Sequence, residues 1–365
     1  MLSRRCLLQC ACAVTCLGAA ARPPQLRSSI QENDAAGLAA VAARHGRLYG
    51  TAISTYQLAD DDFAQVLAGE AAILVPEYEM KRGVVEPVRG SLDLSACDRI
   101  LAFARARGMN FRGHPLVWHK RNPDWLEEAV RTSRDESLIV SYVEQMVRHF
   151  RGHVHSWDVV NEAIAPADGR PDSLRRSFWL EALGVGYIDL AFHAAKAADP
   201  SALLVYNDWG CELGGTENDT FRAATLDFLD RALARGVPIE GLGLQGHLRA
   251  FGTPVDAAKL SAFLASVRAM GLKVLVTEHD VDDSGGPADA ALRDAAVADA
   301  SRRFLEVMIE SGAATILTWG LSDRYLEKPG WRESVAGYSP RMLPLDRDLN
   351  RKPMWHAVAA ALDKA

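Results

Sequence analysis

The chain has 365 residues, 48% of them hydrophobic, and a formal net charge of −6. That length supports one large core or two ordinary ones. A mildly acidic chain without a basic stripe is poorly suited to nucleic acid or anionic membrane, and no later run of ~18 apolar residues suits a bilayer span.

From the N-terminus, residues 1–21 read as a signal peptide rather than as fold. Arg4 and Arg5 open the segment, a mildly apolar stretch runs from Cys6 to Leu17, and Ala19-Ala20-Ala21 precede Arg22. Ser3-Arg4-Arg5-Cys6-Leu7-Leu8-Gln9 resembles a twin-arginine signal, so a secreted protein, periplasmic or extracellular, is expected. Four of the six cysteines lie in this segment. Cys97 and Cys211 remain, and two separate buried thiols are expected rather than a disulfide. Residues 22–47 read as a helical lead-in, and 48–362 as one domain with neither linker nor repeat.

Within that domain a β-like apolar run followed by an amphipathic helical stretch recurs. The eight runs are Leu48–Ile53, Ala72–Pro76, Arg112–Trp118, Val154–Asn161, Ala202–Asn207, Gly241–Gly246, Lys273–Thr277 and Thr315–Trp319. Helical stretches include Ala96–Arg107, Glu136–Phe150, Tyr187–Ala198, Phe221–Arg235, Ala257–Met270 and Asp294–Ser311. Continuous apolar strands alternating with helices predict parallel strands buried on both faces. The pattern predicts an α/β fold, a (β/α)8 TIM barrel. A doubly wound open sheet is the alternative, but it calls for a glycine-rich first turn that this chain lacks.

In such a barrel the carboxyl ends of the strands carry the chemistry. Reading those ends in order gives Glu77 and Lys81, then His114, Trp118 and His119, then Asn161 and Glu162. Asn207, Asp208 and Trp209 come next, then Gln245 and His247, Glu278 and Asp280, and Trp319 and Asp323. Amides, imidazoles and carboxylates with flat indole faces suit sugar hydroxyls and rings. Two carboxylates on different strands, Glu162 and Glu278, are the pair that glycosidic cleavage requires.

The segments Gly113-His114-Pro115-Leu116-Val117-Trp118-His119, Trp157-Asp158-Val159-Val160-Asn161-Glu162-Ala163, Gly243-Leu244-Gln245-Gly246-His247-Leu248 and Val276-Thr277-Glu278-His279-Asp280 are similar to the signature segments of the family ten glycoside hydrolases. Pro76-Glu77-Tyr78-Glu79-Met80-Lys81 and Thr318-Trp319-Gly320-Leu321-Ser322-Asp323 extend the match, which runs in order from about Leu48 to Ala361. The resemblance implies a barrel enzyme, an endo-β-1,4-xylanase acting on polysaccharide or oligosaccharide. It implies a retaining reaction with Glu278 as nucleophile and Glu162 as acid/base, without cofactor or metal, and a monomer is expected. Asn161 would bind the sugar 2-hydroxyl. His247 would hydrogen-bond Glu278, with Asp280 orienting its ring. Lys81, His114 and Gln245 would bind the same sugar or steady the carboxylates, and Glu77 would hold the next sugar. Trp118 and Trp319 would wall the glycone side, and Trp209 would stack on the leaving-group side.

Three positions depart from the family pattern: Tyr78 and Gly210 stand where asparagine is usual, and Glu327 where a second tryptophan is usual, the nearest being Trp331. All three concern substrate subsites, so a related β-glycanase with altered subsite preference is one alternative. A metal-dependent barrel hydrolase is another, because His153 and His155 have ligand-like spacing, although they open the fourth strand far from the site. A non-catalytic glycan-binding protein is the third.

Overall fold

A computed structural model describes residues 36–326 and 339–364. The expected signal at 1–21, residues 22–35 of the lead-in, and Glu327 and Trp331 lie outside these. The described residues from Gly37 onward belong to one unit.

The strands are β1 (Leu48–Ile53), β2 (Ile73–Pro76), β3 (Asn110–Gly113), β4 (Ser156–Asn161), β5 (Leu203–Asp208), β6 (Gly241–Leu244), β7 (His247–Arg249), β8 (Lys273–Asp282) and β9 (Thr315–Thr318). Eight of them pair in parallel, in chain order from β1 to β6, then β8 and β9, and back onto β1. The ring is the expected (β/α)8 barrel. Strands β2, β4 and β6 are buried along their whole length, as strands packed against both the interior and the helices must be. The helix Ala257–Ala269 illustrates the outer layer: Leu260, Phe263, Leu264 and Val267 are buried at helical spacing. Asp256 caps it, accepting a hydrogen bond from the Lys259 N–H at 3.1 Å.

Three strands end two or more residues from where the sequence reading put their carboxyl ends. The predicted third run ends early, at Gly113, where the chain leaves the sheet, although the Leu116 N–H still bonds the Asp158 carbonyl at 2.9 Å. The sixth stops at Leu244. The seventh does not stop at Thr277 but continues as β8 to Asp282, because the short strand β7 pairs with its outer half and sets His247 opposite Asp280. Glu278 therefore lies within a strand rather than after it.

Two register shifts fall on the site-bearing strands. One lies between Asp158 and Val160 on β4, the other between Val276 and His279 on β8. An extra residue at such a point bends the strand and re-aims the side chains beyond it. At the opposite, amino-terminal end, buried Glu70 ties three segments together. It accepts from Leu38 N at 2.7 Å, from Arg351 Nη2 at 2.9 Å and from Trp355 Nε1 at 2.9 Å. Cys97 and Cys211 are buried and unpaired, as expected.

Candidate active site

The carboxyl ends of the strands open into a cavity of about 840 Å³. Lys81, His114, Trp118, Asn161, Glu162, Trp209, Gln245, His247, Glu278, Asp280 and Trp319 all line it. Of the expected site residues, only Glu77 does not. Its carboxylate stands half-buried at the end of β2, accepting from Ser54 Oγ at 3.1 Å. Asp323, also read as a strand-end residue, turns away and meets buried Lys352 at 2.6 Å. His155 lines a different cavity, with Lys196, Glu240 and Lys273 near the amino ends of the strands.

Glu278 is buried but surrounded by donors. Asn207 Nδ2 donates to its Oε1 at 2.8 Å, His247 Nε2 lies 3.4 Å from Oε2, and His114 Nδ1 lies 3.7 Å from Oε1. Burial by itself raises its pKa. The charges of His114, His247 and Lys81, with the His247 hydrogen bond, outweigh that and bring it to about 2. His247 is held in turn by Asp280, whose Oδ1 is 2.9 Å from Nδ1. Burial opposes charge on this imidazole, yet Asp280 and Glu278 raise its pKa well above the ordinary value. The arrangement keeps an anion aimed into the cavity.

Glu162 has a different setting. Its Oε1 accepts from Gln245 Nε2 at 3.2 Å. Its Oε2 has no hydrogen-bond partner among the described residues; Lys120 Nζ lies 3.6 Å away and His119 Nε2 4.0 Å. Burial, then Arg175 and Lys120, push His119 down to about 3, so that ring is neutral. Glu162 itself sits at φ +57°. A side chain in that left-handed region costs on the order of 1–3 kcal/mol and marks functional turns.

The two carboxylates belong to one hydrogen-bonded cluster. Gln245 Nε2 reaches both Glu162 and, at 3.4 Å, Asn161 Oδ1. Asn207 Nδ2 reaches both Asn161 Oδ1, at 2.9 Å, and Glu278. Turned over, the Asn161 amide would instead accept from the Trp118 indole at 3.2 Å. Thr277 Oγ1 fixes Asn207 by donating to its oxygen at 2.6 Å. Gly243 makes room: a Cβ there would lie 2.4 Å from Asn207 Oδ1.

Aromatic faces border the cluster. The Lys81 ammonium lies 5.7, 5.4 and 5.6 Å from the ring centres of Tyr78, Trp118 and Trp319. Burial lowers the pKa of Lys81, against the opposing charges of Glu278, Glu77 and Glu162. At the other end Trp209 is 43% exposed, its ring resting 5.7 Å from that of Phe221. This explains Gly210. It has φ +94°, and a Cβ there would sit 2.9 Å from the Phe221 ring that supports Trp209.

Several contributors escaped the strand-end reading as individual roles. Asp158 and Arg112 pair inside the barrel, and Asp158 Oδ2 holds His114 Nδ1 at 2.9 Å. Both stand mid-strand, where sequence offers no cue beyond a charge in an apolar run. The same cluster accounts for the one group among the described residues that could gather a cation, His114, Asp158 and Glu278, within 4.8 Å of one another. It does not include His153 or His155.

Asp208 is buried at the end of β5. Burial, opposed by the Tyr206 hydrogen bond and reinforced by the Glu162 charge, raises its pKa to about 8. The folded state thus holds a proton that the unfolded chain releases near pH 4. The resulting stabilisation is complete below pH 4 and is lost as the pH climbs to about 8. Asp208→Asn is expected to flatten the fall in melting temperature between pH 5 and 8, measured by calorimetry. An unchanged slope would contradict the assignment.

A charged carboxylate and a second carboxyl joined through amides at the mouth of a (β/α)8 barrel, between aromatic walls, define a hydrolase of glycosidic bonds. Comparison with known proteins agrees: the family model for Glycosyl hydrolase family 10 matches residues 37–361, and the chain belongs to that family. Endo-1,4-beta-xylanase 5 of Pyricularia oryzae is 31% identical over 367 residues, covering 96% of this chain and 86% of that protein. Endo-1,4-beta-xylanase B of Thermotoga neapolitana is 30% identical, covering 83% and 84%. Among solved structures, native xylanase 10B of Thermotoga maritima superposes with a TM-score of 0.78 at 27% identity, covering 90% of this chain and 98% of that one. Xylanase 10B of Thermotoga petrophila in complex with xylobiose gives 0.78 at 26%, covering 90% and 97%.

Proposed function

We propose that this chain cleaves internal β-1,4 linkages of xylan and xylo-oligosaccharides with retention of configuration, after export in the manner its N-terminal segment suggests. Glu278 attacks the anomeric carbon as Glu162 gives its proton to the departing oxygen. A glycosyl ester on Glu278 results. Glu162, now ionised, takes a proton from water, and that water displaces Glu278 from the sugar. The observation that carries this reading is the unequal setting of the two carboxyls. Glu278 is ringed by His114, His247, Lys81 and Asn207, whereas Glu162 accepts a single side-chain hydrogen bond, from Gln245, among the described residues. Once Glu278 is esterified its charge disappears, which favours the ionised Glu162 that the second step needs.

Asn161 and Gln245 would hold hydroxyls of the cleaved sugar, Lys81 and His114 would support them, and Trp118, Trp319 and Trp209 would offer faces to the rings. Glu77, set outside the catalytic cavity, would hold the next sugar. The protein should be incubated with xylan, cellulose and mixed-linkage glucan and the products resolved by chain length. A ladder of xylo-oligosaccharides is expected from xylan, with the β-anomer forming first by NMR. Release of xylose alone, or cleavage of the glucans and not xylan, would overturn the proposal.

A further inference from the structure

The turn that carries Glu162 is bonded along its whole backbone. Residues 162–164 come directly after β4, with Glu162 in the left-handed region, and each of their six backbone polar groups has a protein partner. Three partners come from β5. The Glu162 N–H bonds the Asn207 carbonyl at 2.9 Å, the Ala163 N–H bonds Tyr206 Oη at 3.1 Å, and the Ile164 N–H bonds Asp208 Oδ2 at 3.3 Å. The other three come from Arg175. Its Nε donates to the Glu162 carbonyl at 2.6 Å, its own N–H to the Ala163 carbonyl at 2.7 Å, and its Nη2 to the Ile164 carbonyl at 3.2 Å. Tyr206 and Asp208 also bond each other.

Buried backbone groups seek partners everywhere, but a residue held at φ +57° persists only where its surroundings over-determine it. Here they do so from two sides. We infer that Arg175, with Tyr206 and Asp208 facing it across the turn, is the positioning residue that keeps the Glu162 carboxyl in line with the leaving-group oxygen. A planar guanidinium spans two carbonyls at once, which a lysine ammonium cannot match. Glu278 stands on a different strand and makes none of these bonds. Loosening the turn therefore damages proton transfer and leaves nucleophilic attack in place. The inference rests on Glu162 being the proton donor.

That separation can be measured with leaving groups of different basicity. A dinitrophenyl group departs without a proton, whereas the sugar hydroxyl of xylohexaose does not. Arg175→Lys and Tyr206→Phe should be compared with wild type and with Glu162→Ala, after circular dichroism shows each to be folded. For Arg175→Lys, kcat/KM on xylohexaose is expected to fall by about 10²-fold, within the range for a lost general acid. On dinitrophenyl β-xylobioside it should stay within about 3-fold of wild type, as only the proton-dependent step is affected. Tyr206→Phe, which removes a single hydroxyl, should show the same split more weakly. Added azide should speed turnover of the aryl substrate by Arg175→Lys and yield the β-azide. There the azide nitrogen bonds the anomeric carbon as the ester bond to Glu278 breaks, returning the carboxylate. Equal losses on both substrates, or no loss on xylohexaose, would overturn the positioning role. If Glu162→Ala also fails to show the split, the fault lies with the assignment of the proton donor.

Discussion

Glu278→Ala is expected to reduce hydrolysis of xylo-oligosaccharides and of aryl β-xylobiosides alike, by about 10⁵-fold. The reason is that the groups holding this carboxylate cannot replace it. His114, His247 and Asn207 converge on its two oxygens, and none of them can form a glycosyl ester in its place. Leaving-group quality should not matter, because attack itself is lost. Azide in high concentration should enter the space left by the carboxylate and attack the same face of the sugar. The C–O bond to the leaving group then breaks as the C–N bond forms, and Glu162 supplies the proton to the departing oxygen. The product expected by NMR is the α-azide, with configuration inverted. Ordinary turnover by Glu278→Ala would remove the nucleophile assignment.

Glu162→Ala is expected to behave otherwise. Hydrolysis of xylohexaose should fall by about 10³- to 10⁴-fold, the measure of a missing general acid and base. Dinitrophenyl β-xylobioside should still form the glycosyl ester quickly, and a burst of dinitrophenol should precede a slow steady state. Water then lacks its base, so the ester accumulates and is detectable as an added xylobiosyl mass on the intact protein. Azide needs no base. It should accelerate the steady state and give the β-azide, with configuration retained. Opposite anomers from two neighbouring substitutions are a demanding result. The same anomer from both would show that the roles have been wrongly divided.

Much of the barrel could be read from residue pattern alone. All eight barrel runs became strands, because apolar stretches such as Lys273–Thr277 have no stable place except between an interior and a helix layer. The strand-end rule then brought eleven of the twelve expected site residues to one cavity, from Lys81 after β2 to Trp319 after β9. What stayed hidden depends on contacts between distant segments. Nothing local shows that His247 begins a short strand beside Asp280, or that β8 continues past Glu278 to accept it. Arg112 and Asp158 read as charges misplaced in apolar runs until the barrel closes round them. Arg175 lies thirteen residues past Glu162 in a loop without any periodic signal, and its role emerges only from its three bonds to the turn. Gly210 read as a missing asparagine, whereas Phe221 leaves no room there for any side chain.

The irregular pairing of β4 and β8 bears on how such a pair of acids could be moved to another scaffold. In an even pleat, neighbouring side chains face alternately inward and outward, and one added residue reverses that parity for everything downstream. The additions lie at Asp158–Val160 and Val276–His279, below Glu162 and around Glu278. A graft of the two glutamates therefore has to carry the irregular stretch around Glu278 and the left-handed turn at Glu162.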